Sequence, residues 1–305
     1  MYLSYENFCQ NTLTNLKEQL DSSFSVSIAK IEKNNHIILD GLTIQNSSVN
    51  ISPTFYLNYY YEDYTNGANI EDIAADILKS YHSRKKSENM DLDFFTDFEQ
   101  LKDKVVFKLV NYNQNMDLLQ KIPHIRFLDL AVVFYYLIHD NSAGNATILI
   151  RNNHMQMWGA SPETLYGLAF ANTPHLLSSD LKNMSDVLSE LMGSENISPE
   201  DDVMDINTEV TAYPMHVLSN QYKFYGAASI LYPDLLKNFA NEMDSDLYIL
   251  PSSIHEVILI PAEYGCNIEE LNQMVQDVNA TQVAPEEILS DHVYLFSKKK
   301  SEITM

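Results

Sequence analysis

The stretch DLYILPSSIHEVILIP, residues 246–261, consists of two apolar runs around the break Pro251-Ser252-Ser253. Strand-forming residues on both sides of a short polar break predict a β-hairpin. Hairpins join antiparallel neighbours, whereas parallel neighbours need long crossovers. This stretch therefore decides for antiparallel sheet, and with the helical periodicities elsewhere it gives an α+β fold with packed helices. It also places His255 and Glu256 at the start of a buried strand.

Working outward, the elements fall in a recurring order. Val105 to Val110 reads as a strand, Met116 to Ile122 as a short helix, and Phe127 to Ile138 as a long apolar strand. Thr147 to Ile150 returns as a strand, extending toward Trp158. Ser161 then caps a helix with Pro162 at its first position, where the missing N–H costs nothing. A second series runs from a strand over Ala227 to Tyr232, through a helix over Pro233 to Met243, into the hairpin. It closes with a helix capped by Asn267 with Glu270 at N3, an arrangement similar to a capping box. Both series read as βαββα-like units, at 93–192 and 215–305. A helix–strands–helix unit at 1–92 precedes them and an acidic linker at 193–214 separates them. Within the first unit, Tyr5 to Leu20 is a helix, Phe24 to Ile31 and His36 to Ile44 are strands, and Thr54 to Tyr61 is a tyrosine-rich strand. Asn69 caps a helix with apolar residues at 70, 73, 74, 77, 78 and 81, a spacing that marks one helix face. Residues 83–92 form a polar, charged hinge. Lys298-Lys299-Lys300, after a last strand over Val293 to Phe296, is expected to fray.

Composition narrows the function. The chain has 305 residues, 45% hydrophobic, with 42 acidic against 19 basic residues and a formal net charge of -23. Such a charge repels phosphate backbones and anionic lipid, so neither nucleic acid nor a membrane surface is an expected partner. A protein or peptide partner, preferably basic, fits better. Cys9 and Cys266 stand far apart, outside any Cys-x-x-Cys pattern, which excludes a disulfide framework and a cysteine zinc site. The amino terminus lacks a basic n-region and an apolar h-region, so no signal peptide is expected and the location is cytoplasmic. The apolar run Phe127 to Ile138 contains Asp129 and falls short of the about 20 residues needed to cross a bilayer.

The candidates for chemistry are few. His255-Glu256 is not followed by the second histidine of a helical His-Glu-x-x-His zinc site, and strand formers follow it instead. On a strand the two side chains point to opposite faces. Asp291-His292 precedes the last strand in the same way. Together His255, Glu256, Asp291 and His292 supply two imidazoles and two carboxylates, enough in type for a metal or hydrolase-like site. The structural reading gives each of them a turn or strand-start hydrogen bond. Ser252 and Ser253 lack the Gly-x-Ser-x-Gly elbow of a hydrolase nucleophile. Arg126 and Arg151 each abut an apolar strand and could clamp an anion with forked donors; the structural reading pairs them with local acids. No phosphate-binding glycine loop is present among the eight glycines. The acidic run at 193–209 lacks the EF-hand glycine, so it reads as solvated rather than calcium-binding. No cofactor and no metal are expected. A non-catalytic binding or regulatory module leads, and an enzyme using His255, Glu256, Asp291 and His292 is its rival.

Several segments carry a family resemblance. They are IPHIRFLDLA at 122–131, TILIRN at 147–152, LYPDLL at 231–236, YILPSSIHEV at 248–257, VNATQVAPEE at 278–287 and SDHVY at 290–294. These resemble an uncharacterised clostridial family, domain-of-unknown-function family 5688, over about residues 100–297. The order of elements is more weakly similar to domain-of-unknown-function family 1444. Neither resemblance implies a reaction, a cofactor or a site.

Overall fold

A computed structural model describes residues 2–46, 52–83, 95, 97–140, 144–194, 214–265 and 267–305. Most of the expected hinge and of the acidic linker lies outside these residues, as does Cys266. The chain divides into two compact units, one of residues 1–97 with 137–147, the other of 98–136 with 148–305. The architecture is α+β with antiparallel sheets.

In the first unit, α1 (Tyr5–Gln19) starts at Ser4, whose hydroxyl accepts from the Asn7 amide. Phe8, Thr12 and Leu16, four apart, form its buried stripe. Strands β1 (Phe24–Glu32) and β2 (Ile38–Asn46) pair antiparallel, and the chain turns at Asn35 and His36, both with positive φ. Strand β3 (Thr54–Tyr56) adds to β2. The expected strand over Thr54 to Tyr61 stops there, because α2 (Leu57–Thr65) takes over. Tyrosine favours strands only where its ring has a pleated surface to cover. Here Tyr61 and Tyr64, one helical turn apart, pack on Phe8 at 5.3 and 5.2 Å between ring centres. The Tyr61 hydroxyl donates to the Leu3 carbonyl at 2.9 Å. Helix α3 (Ile70–Ser83) buries Ile73, Ala74 and Ile77, and Asn69 Oδ1 accepts from the Asp72 amide at 2.8 Å.

The second unit opens with α4 (Phe98–Leu101), β4 (Val105–Asn111) and α5 (Met116–Leu119). The apolar run expected as one strand is two. Strands β5 (His124–Phe127) and β6 (Leu130–Asp140) form a hairpin with Phe127 opposite Leu130. Leu128 takes φ 54 at the corner, a strained position for a branched residue. Asp129 next to it anchors the corner: its carboxylate accepts from Ser290 Oγ and from the Tyr294 hydroxyl, each at 2.6 Å. Strand β7 (Gly144–Leu149) pairs with β6, and residues 137–147 at the tip of that pair belong to the first unit. The expected extension toward Trp158 is instead α6 (Asn152–Trp158), ended by Gly159 in the left-handed region. Helix α7 (Pro162–Leu176) begins as expected, with Ser161 accepting from the Thr164 amide.

Next come β8 (Ser179–Asn183), α8 (Met184–Ser194) and β9 (His216–Asn220). The expected strand over Ala227 to Tyr232 is a 3-10 turn at Gly226–Leu231, buried from Gly226 to Ile230. A short apolar run buried on all sides reads alike as strand or helix. Helix α9 (Leu235–Glu242), β10 (Leu247–Leu250), β11 (Val257–Pro261), α10 (Ile268–Thr281), β12 (Tyr294–Ser297) and β13 (Glu302–Thr304) complete the unit. The hairpin of β10 and β11 is present, with Leu250 opposite Ile258. Lys298 to Lys300 do not fray: they turn into β13, the Lys298 amide donates to Asp246 at 2.7 Å, and its ammonium pairs with Asp244.

The larger sheet runs β13-β12-β10-β11-β9-β8. Its strand β8, from the expected 93–192 unit, pairs with β9 of the expected 215–305 unit, and both belong to one compact unit. One apolar core gathers Phe107 and Phe134 from the smaller sheet with Leu218, Ile249 and Leu259 from the larger. No helix among the described residues is long and apolar enough to cross a membrane.

Candidate functional site

The segment after β10 is locked by the segment before β12. The Ile254 amide donates to the Glu287 carbonyl at 2.8 Å, and Ser253 bridges Ile288. Ser253 is buried, and its hydroxyl accepts from the His255 amide at 2.9 Å. That is the turn bond such a serine makes, and nothing there couples it to an imidazole as a nucleophile.

His255 and Glu256, adjacent in sequence, diverge in space. His255 Nδ1 accepts from the Tyr225 amide at 3.3 Å, and Nε2 faces Glu287 Oε1 at 3.4 Å. An amide donor at Nδ1 places the ring proton on Nε2, where it points at the carboxylate. The imidazole stacks on Tyr225, 5.7 Å between centres with planes 13° apart, and the Lys108 ammonium lies 3.9 Å from the centre of that tyrosine ring. Both ring nitrogens of His255 are thus engaged within the fold.

The other pair is also engaged. His292 Nδ1 lies 3.4 Å from Asp129, in the network that anchors the β5–β6 corner. Asp291 accepts from Asn279 Nδ2 of α10 at 2.8 Å. No three His, Cys, Asp or Glu side chains among the described residues are grouped so as to hold a metal ion. The two arginines occupy different settings. Arg126 lies over the Tyr112 ring at 4.6 Å and its Nε donates to the Leu128 carbonyl. Arg151 stands at the start of α6, where its amide donates to His154 Nδ1 at 3.2 Å. Burial, with the Arg151 charge added, holds the His154 imidazole below its ordinary range.

Glu256 leads elsewhere, to a cleft of about 260 Å³ on one face of the larger sheet. The register explains its lining. Lys182 pairs with Val217 and Asp180 with Ser219, while Ile258 pairs with Val217 from the other side. Alternation by two then puts Asp180, Lys182, Val217, Ser219, Glu256 and Ile258 on the same face. Met184 and Val187 of α8 form one wall, and Ser252 and Lys223 complete the rim. The exposed lining is mainly apolar. Lys182 is held by Glu190 at 2.7 Å and lies 3.8 Å from Asp180. Glu256 is half-buried, and no cation lies within ion-pair distance of it among the described residues. Burial pushes its carboxyl up from the ordinary 4.5; Glu287 adds to this, while His255 and Lys223 oppose it. Burial disfavours the charged form of an acid, and that effect leads here.

The sequence alone pointed to Glu256 and Ser252 and to no other residue of the cleft. The stretch SDLKN at 179–183 has one apolar residue and no alternation of burial to mark it as a strand, and its register with β9 depends on residues far along the chain. The chain matches the model of DUF5688, described as a family of unknown function, over residues 5–298. The match reaches well before residue 100, so the amino-terminal unit is part of what the family shares. No curated protein and no solved structure matches the chain. The chain belongs to the DUF5688 family of unknown function.

Proposed function

We propose that this protein is a non-catalytic binding module that receives a polypeptide segment in the cleft beside β8. The observation that carries this reading is the cleft itself: an apolar concavity with a few polar groups at its floor and rim, as ligand sites are generally built. Its position adds support. β8 is the last strand of the sheet, and no strand among the described residues pairs with its outer edge. An extended segment laid along such an edge gains main-chain hydrogen bonds and drops a side chain into an adjoining pocket. The net charge of -23 favours a basic segment and gives it a fast approach. The expected cytoplasmic location and clostridial origin are compatible with this role and add nothing to it.

The test is selection of peptides by display on the immobilised full chain, followed by titration of the selected peptides. Val187→Trp fills the cleft from α8, where Val187 is half-buried, and leaves the sheet alone. Binding lost in Val187→Trp, with its unfolding midpoint unchanged, supports the reading; binding unchanged in that variant refutes it.

The His255–Glu287 pair favours a second reading, a hydrolase-like or metal-dependent enzyme using His255, Glu256, Asp291 and His292. It predicts hydrolysis of generic esters or peptides that is lost in His255→Ala or on adding a chelator. A preparation with no such activity, with and without added divalent metals, ends it.

A further inference from the structure

We propose that the cleft takes a lysine or arginine side chain of the bound segment, with Glu256 as its counter-ion; this rests on the reading of the cleft as a polypeptide site. Val187, Val217 and Ile258 offer the apolar wall that a methylene stem needs. Glu256 stands at the end of that wall without an ion pair among the described residues. The cations already present do not fill the role. Lys182 is committed to Glu190 and Asp180, a cluster whose formal charge is negative. Lys223 is exposed at the mouth, where solvent screens it. The groups whose charge or hydrogen bond reaches Glu256 are His255, Glu287, Lys223 and Ser253, and Asp180 and Lys182 line the same cleft. A carboxyl kept partly from water has most to gain when a cation arrives with its own apolar stem.

The arrival of a cation also stabilises the ionised carboxylate, so binding in mildly acidic solution releases a proton from Glu256. The experiment compares three versions of one display-selected peptide, with lysine, arginine or norleucine at the cleft-facing position. Each is titrated calorimetrically into the full chain and into Glu256→Gln, in two buffers of different ionisation enthalpy. The lysine and arginine forms are expected to bind at least about tenfold tighter than norleucine, about 1.4 kcal/mol. In Glu256→Gln that preference and the proton release disappear. Equal binding of all three forms, with loss in Val187→Trp, overturns the counter-ion role and leaves the polypeptide site standing. Absence of any binding peptide overturns both. Competition by 1,5-diaminopentane at lower concentration than the peptide shows a free polyamine to be the ligand and overturns the side-chain assignment.

Discussion

Gly226 sits where β9 and the 3-10 turn at Gly226–Leu231 approach too closely for a side chain. A Cβ there would meet Ser219 Oγ at 2.2 Å, the His255 carbonyl oxygen at 2.5 Å and the Asn220 nitrogen at 2.6 Å. Two of these are backbone atoms and cannot swing aside. Gly226→Ala is therefore expected to destabilise the larger unit by about 1–3 kcal/mol or more, as overpacking does, read as a lower urea midpoint. Asp129 gives a second prediction at this scale. Ser290 and Tyr294 are fully buried and both donate to it. Asp129→Ala strands both hydroxyls at about 1–3 kcal/mol each and releases the Leu128 corner. Urea unfolding checks this; a midpoint within error of the parent would show that the corner does not need its anchor. Of the residues singled out from sequence, His255 and His292 are engaged in such contacts, and Glu256 and Ser252 line the cleft. The strand expected to hold His255 and Glu256 begins only at Val257, so the two part in the bend before it rather than by strand alternation. The partners of His255, Tyr225 and Glu287, 30 and 32 positions away, were not legible in advance.

Among the elements, those with caps and clear periodicity were legible: α1, α3, α7, α10 and the β10–β11 hairpin. Three others failed for identifiable reasons. The tyrosine run became α2 because Phe8 of a distant helix offered its rings a surface. The run at Ala227–Tyr232 is buried on all sides and has no periodicity to read. The strand at Phe127–Ile138 breaks at Leu128 because Ser290 and Tyr294 hold Asp129 from far along the chain. The cleft depends on the β8–β9 register, set by long-range pairing. A cap gives the prediction at this scale. Ser161→Ala removes the acceptor of the Thr164 amide and is expected to cost about 1 kcal/mol, while leaving peptide affinity unchanged, because α7 does not line the cleft.

For the molecule as a whole, charge sets the remaining expectations. Glu256 carries a pKa raised in the folded state, mainly by burial. Its neutral form stabilises the fold fully below the ordinary 4.5, and that contribution is lost as pH rises through the folded value. Glu256→Gln should therefore gain stability relative to the parent as pH rises through that window, and match it below. Chemical denaturation across pH 4 to about 8 checks the sign. A basic peptide drawn to a chain of net charge -23 should associate more slowly as salt shortens the Debye length from about 10 Å at 0.1 M to about 3 Å at 1 M, with much less change in dissociation.

The central claim is that the cleft beside β8 is where a partner binds. The most direct test is methyl nuclear magnetic resonance of the full chain, labelled at isoleucine and valine, during titration with a display-selected basic peptide. The account predicts shifts concentrated at Val187, Val217 and Ile258, absent from Val26 and Ile44 in the core of the amino-terminal unit. Saturable binding that leaves those three methyl groups unmoved would contradict it.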